Sequence, residues 1–294
     1  MPETAENTAP FRWDLIRPDQ LGSLLSDVEE PDLWFLDDLV KCAGKVLARS
    51  GNGELIFVGR SLDSMFDLLG GALAGEPPLH RLPVSLARPL SWSGTRKARY
   101  RAFTAGERVQ AQRALTAVGV TPSDLARRKR PATFVDVVSS GSTFTDLFWL
   151  LRDWIEAENQ PWAVIRRKVR FLGVTYRRPT SPKTFRWQQH AAWTAQLPAG
   201  SVRNVSLDGE VLGYFADAQP KLTRRFHPER WLADADGPNR DQKTRQALAE
   251  AVAVVAHGRS VAGRRGLSRA INGEPGLAQP WLRSLTTRLN TSVG

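Results

Sequence analysis

Residues 131–145, PATFVDVVSSGSTFT, place an apolar run ahead of Asp136, then Val137, Val138, Ser139, Ser140, Gly141, Ser142 and Thr143 before a second apolar pattern begins. These residue types can hold an anion. A Ser/Gly turn after a strand can aim successive backbone N–H groups at one point. A helix opening at that turn adds the positive end of its dipole, roughly half an elementary charge. The hydroxyls of Ser139, Ser140, Ser142 and Thr143 offer further donors, and Gly141 permits a close approach that a Cβ would block. Asp136, just ahead of the turn, can accept hydrogen bonds from sugar hydroxyls. The stretch reads as strand, anion cradle and helix start, suited to a sugar phosphate. A plain capped turn is the competing reading for so short a segment.

Neither GxxxxGK[ST] nor GxGxxG occurs there. The run from Val135 to Thr143 resembles the ribose-phosphate signature of type I phosphoribosyltransferases: a hydrophobic strand, two acids, two hydrophobic residues, two Ser or Thr, Gly, any residue, Thr. That family carries acids at both positions corresponding to 135 and 136, whereas this chain has Val135 at the first. The resemblance implies transfer of 5-phosphoribose from 5-phosphoribosyl-1-pyrophosphate to a nucleobase or other amine. It places Asp136 on the ribose and Ser139, Ser140, Gly141, Ser142 and Thr143 on the 5′-phosphate. The loop after the first strand, Gly59, Arg60 and Ser61, would hold pyrophosphate. A basic loop over residues 91–101, with Arg96, Lys97, Arg99 and Arg101, would close over the leaving group and exclude water. Mg²⁺ would bridge pyrophosphate and ribose oxygens through few protein ligands. Asp136, Arg96, Lys97 and Arg99 are the catalytic candidates.

The surrounding elements must present these loops at one edge. Helical spacing recurs from Pro31 to Gly51. Residues 54–58 form a short β-rich apolar run bounded by Gly53 and Gly59, as in a buried parallel strand. A helix follows over residues 61–75 with Ser61 as its N-cap, then a strand over 80–86 and a loop over 87–101. A helix over 105–119, a strand over 133–138 and a helix over 143–158 come next. Strands at 169–177 and 202–207 flank a helical segment over 182–197. This alternation predicts an α/β protein with a doubly wound parallel sheet of phosphoribosyltransferase type. The expected units are an N-terminal extension (1–30), of which 1–17 reads as flexible, a core (31–218) and a mostly helical C-terminal extension (219–294).

The chain has 294 residues, 41% of them apolar, enough for a sizeable core. It contains no apolar run long enough for a membrane helix, and MPETAENTAP lacks the layout of a signal peptide; a cytoplasmic location is expected. Cys42 is the single cysteine, so an internal disulfide is excluded. The four histidines have no metal-ligand spacing, and no GxSxG elbow marks a hydrolase serine. Trp149, Trp154, Trp187 and Trp193 fit helix faces and are expected in the core. The net charge of +11 suits RNA, DNA or a phosphorylated small molecule, and also fits an Arg-rich surface without a partner. The run Arg127, Arg128, Lys129, Arg130 could touch RNA. A homodimer is compatible with this fold. Two rivals to the transferase remain: a non-catalytic ligand-sensing or nucleic-acid-binding regulator on the same fold, and a hydrolase or lyase on a generic α/β sheet.

Overall fold

A computed structural model of the chain describes residues 10–74, 76–86, 102–177, 186–231 and 237–291. Five strands, β1 (Glu54–Val58), β2 (Leu79–Leu82), β3 (Ala132–Val137), β4 (Val169–Tyr176) and β5 (Val202–Leu207), form one sheet in the order β2-β1-β3-β4-β5. Every pairing is parallel. The inner strands β1 and β3 are buried along nearly their whole length, because the middle of a parallel sheet is covered on both faces, whereas the edge strands β2 and β5 carry polar residues. Around it run α1 (Leu36–Arg49), α2 (Asp63–Leu73), α3 (Ala105–Ala117), α4 (Pro122–Arg127), α5 (Ser142–Ala157), α6 (Trp162–Ile165), α7 (Gly209–Gly213), α8 (Gln242–Arg259), α9 (Val261–Asn272) and α10 (Pro280–Asn290).

Strand alternation splits the core into two layers. Leu55, Phe57, Val135, Leu172 and Val205 pack with α1, α2, α9 and α10. Ile56, Phe134, Phe171 and Val169 pack on the opposite face with α3, α4 and α5. The helices after residue 219 thus add a further layer on that side, α8 lying on α2 and α9 on α1. No helix among the described residues is long and apolar enough to cross a membrane.

Several local expectations are corrected. The first helix starts at Leu36, not Pro31. Ser61 does not cap α2: Leu62 occupies that position, without a side-chain cap. The second strand ends at Leu82, where Pro83 follows, and Val84 makes only an isolated bridge to Phe226. Residues 10–17 are not a loose start, since Leu15 is buried and Arg12 pairs with Asp67. Within the expected helix over 182–197, residues 186–197 form two 3₁₀ turns, Trp187–His190 and Ala192–Gln196; residues 182–185 lie outside the described ones. Trp187 and Trp193 are both buried. A spacing of six residues is two turns at three residues per turn, so both indoles can face the core. An α-helix would turn them about 240° apart. Trp149 is exposed rather than in the core.

Candidate functional site at the strand-order reversal

From β1 the chain moves outward to β2, and it then returns past β1 to β3, β4 and β5. The loops leaving β1 and β3 therefore part in opposite directions and leave a crevice at the carboxyl ends of these two strands. A cavity of about 180 Å³ lies there. It is lined by Gly59, Arg60 and Ser61 after β1, by Asp136 and Thr143 around the end of β3, by Pro83 to Leu86, and by Ala216, Arg225 and Phe226. The two loops singled out from sequence thus meet in one place.

Gly59 leaves β1 with φ +69°, a left-handed conformation that glycine adopts without strain, and its N–H donates to Leu82 O at 2.8 Å. That turn directs Arg60 into the crevice, where its Nη1 donates to Thr223 O at 2.6 Å. Burial pulls the pKa of Arg60 down, and the neighbouring Arg225 adds to the effect.

On the other side, Gly141 holds φ +83° and opens α5. No side chain caps this end, and the first turn contains no acid. Its first-turn amides and the dipole remain available to an anion. Gly141 lies beneath Trp187, whose Nε1 donates to Asn204 Oδ1 at 2.8 Å. Asn204 Nδ2 in turn donates to Gln188 Oε1 at 3.1 Å. Thr145 Oγ1 donates to Gly141 O at 2.9 Å and accepts from Trp193 Nε1 at 2.9 Å. The turn that opens α5 is held by two buried indoles.

Asp136 is buried, and Val137 N–H donates to its Oδ1 at 2.7 Å. Burial pushes its carboxyl up to about 8, although the Val137 amide and the Thr143 hydroxyl both donate to it. Val135 has a different fate. It is fully buried in the core on the other face of β3, among Phe57 and Leu172, and does not line the cavity.

Of the expected cradle, Thr143 lines the cavity, Ser142 is half-buried, and Ser139 and Ser140 are exposed. Ser140 Oγ lies 3.4 Å from Ser142 Oγ. The stretch carrying Arg96, Lys97, Arg99 and Arg101 lies outside the described residues; it joins the chain at Leu86, part of the cavity wall. Arg225 and Phe226 also line the cavity, although they lie in the segment expected as a C-terminal extension. The adjacent pair Arg224 and Arg225 was the only hint in the sequence.

Two larger clefts, of about 450 and 460 Å³, lie away from this edge. One is an apolar groove between residues 12–16, α2 and Val255, and the other separates the start of β1 from α10. Neither brings together polar groups from both loops at the reversal point, so the smaller cavity is the better candidate. The chain matches no protein-family model, no curated protein and no solved structure.

Proposed function

We propose that this cavity binds the phosphorylated sugar of a pyrophosphate donor, and that the protein is a phosphoribosyltransferase-like enzyme acting on a nucleobase or other amine. The observation that carries the reading is the convergence of Gly59, Arg60 and Ser61 with Asp136 and Thr143 on one small cavity at the strand-order reversal. The likeness of residues 135–143 to the ribose-phosphate signature supports it.

In this reading the uncapped start of α5, with Thr143 and Ser142, takes the 5′-phosphate. Asp136 receives a ribose hydroxyl, and Arg60 faces the pyrophosphate. Because Val135 points into the opposite core, the ribose is held by one acid instead of two. Cations aimed at the departing pyrophosphate stabilise charge that builds in the transition state. Arg96, Lys97 and Arg99 are proposed to serve there. Mg²⁺ finds little in the cavity to hold it: Asp136 is the one carboxyl in its described lining, and burial favours the neutral form of that carboxyl.

The regulator reading draws on that same single acid and on the charge of +11. The basic run after α4 favours it less. Arg127 pairs with Asp124, Arg128 with Glu54, and Arg130 Nε donates to Asn52 O. These residues also precede β3, at the sheet edge away from the cavity.

The test is release of pyrophosphate from 5-phosphoribosyl-1-pyrophosphate across a panel of nucleobases and amines. Arg96→Ala, Lys97→Ala and Arg99→Ala should lower turnover strongly and donor affinity little. If no acceptor releases pyrophosphate, and RNA or DNA binds with a salt slope that falls by about one unit per lost contact, the enzyme reading fails and the regulator replaces it.

A further inference from the structure

We infer that Arg60 and Arg225 together neutralise the pyrophosphate of the ligand directly, so that this site engages a polyphosphate without a bridging Mg²⁺. The inference rests on the proposed function and adds Arg225, from outside the sheet, to the binding residues.

Both arginines line the same cavity. Among the described residues Arg60 is anchored through its Nη1 contact to Thr223 O, and a guanidinium carries five N–H donors, which suits it to hold a ligand as well. Arg225 is positioned by backbone pairing. Phe226 bridges Val84 in parallel register, and Ser85 N–H donates to Phe226 O at 2.8 Å. Trp231 Nε1 donates to the same carbonyl at 2.8 Å. The residue before Phe226 is thereby fastened to the cavity wall.

The two cations stand close enough for Arg225 to disfavour the charge on Arg60. The nearest acid to Arg60 in the chain, Asp63, is engaged by Arg81 through both carboxylate oxygens, at 2.9 and 3.0 Å. Asp136 is the one carboxyl in the described lining and receives the Val137 amide. Two like charges thus share a concave site, and the described acid that acts on Arg60, Asp63, is shared with Arg81. A ligand with several phosphate oxygens supplies counter-charge, and the guanidinium fork matches phosphate geometry in bidentate contacts. Mg²⁺ needs a near-octahedral shell of oxygens, usually one or two carboxylates with water and phosphate. A cavity presenting two arginines and one buried carboxyl meets that need poorly.

The experiment is calorimetric titration of inorganic pyrophosphate into the full-length chain, in EDTA and again with Mg²⁺. Binding should occur in EDTA, and Mg²⁺ should leave the affinity within about threefold or lower it, because it neutralises the charge the arginines require. Arg225→Ala should weaken binding about 10- to 100-fold, the range of a charge-assisted contact, and Arg225→Lys should fall between the two. Arg225 is exposed, so its variants should keep the wild-type Tm, and the test stands even if Arg60→Ala fails to fold. Binding seen only with Mg²⁺ would overturn the inference and leave the proposed function intact. Binding in EDTA that neither Arg60→Ala nor Arg225→Ala weakens would overturn the arginine pair. Absence of binding in both conditions would overturn the proposed function as well.

Discussion

Gly141 lies directly against the indole of Trp187: a Cβ built on Gly141 would stand 2.4 Å from Trp187 Cε3. The turn that opens α5 is therefore shaped by a residue of the β4–β5 connection, and the glycine is required twice over, by this contact and by its φ of +83°. Gly141→Ala should cost about 1–3 kcal/mol of stability and should weaken phosphate or sulfate binding. Thermal unfolding and anion titration check both. A variant with wild-type Tm and wild-type anion affinity would show that the loop can relax away from Trp187.

Trp187 is itself tethered through Nε1 to Asn204 Oδ1. Trp187→Phe keeps much of the ring but leaves that oxygen without its donor, which should destabilise by about 1–3 kcal/mol. Replacing Asn204 by Leu in the same chain should return part of the loss if the unmatched polar group is its cause. Denaturant midpoints of the single and double variants measure it.

Asp136 should make the protein respond to pH in a definite direction. Its carboxyl rises from an ordinary 3.8 to about 8 in the folded chain. Between these values the folded state keeps a proton that the unfolded chain has lost, so stability falls as pH climbs from about 4 to about 8 and levels off above. Asp136→Asn removes this dependence. The difference between wild type and variant should be small near pH 4 and grow to a few kcal/mol by pH 8 in favour of the variant. Donor binding should move the other way. A carboxylate accepts from a ribose hydroxyl better than a carboxylic acid, so wild-type affinity should improve as pH passes 8. Asp136→Asn should bind about 10- to 100-fold more weakly at high pH. Denaturation and calorimetry across that range test the pair, and a flat difference in both would show Asp136 to be only a turn residue.

Arg12 ties the start of the chain to α2. Its Nη2 reaches both carboxylate oxygens of Asp67 at 2.7 Å, and Asp67 is buried. Arg12→Ala leaves that acid unpaired, a change that costs about 3–5 kcal/mol for a buried pair. Adding Asp67→Asn should recover part of it. A loss below 1 kcal/mol in urea unfolding would mean that residues 10–17 contribute little to the folded state.

The local pieces of this protein were readable from the chain by itself. The runs at 54–58 and 202–207 are strands with those same ends, because a short apolar β-rich stretch between turn residues has few alternatives. The start of α5 was legible to within one residue for the same reason, since Ser and Gly at a strand end favour a turn. Local patterning could not supply the order in which the strands pair, yet the site depends on it. Only the reversal between β1 and β3 brings Arg60 near Asp136, and only the parallel bridge from Val84 to Phe226 carries Arg225 to the same cavity. The charge state of Asp136 is decided in the same way, by desolvation from neighbours distant in sequence. The division follows from range. Turns, caps and strand runs are fixed by a few adjacent residues, whereas burial, strand order and the meeting of two arginines require the whole chain to be packed.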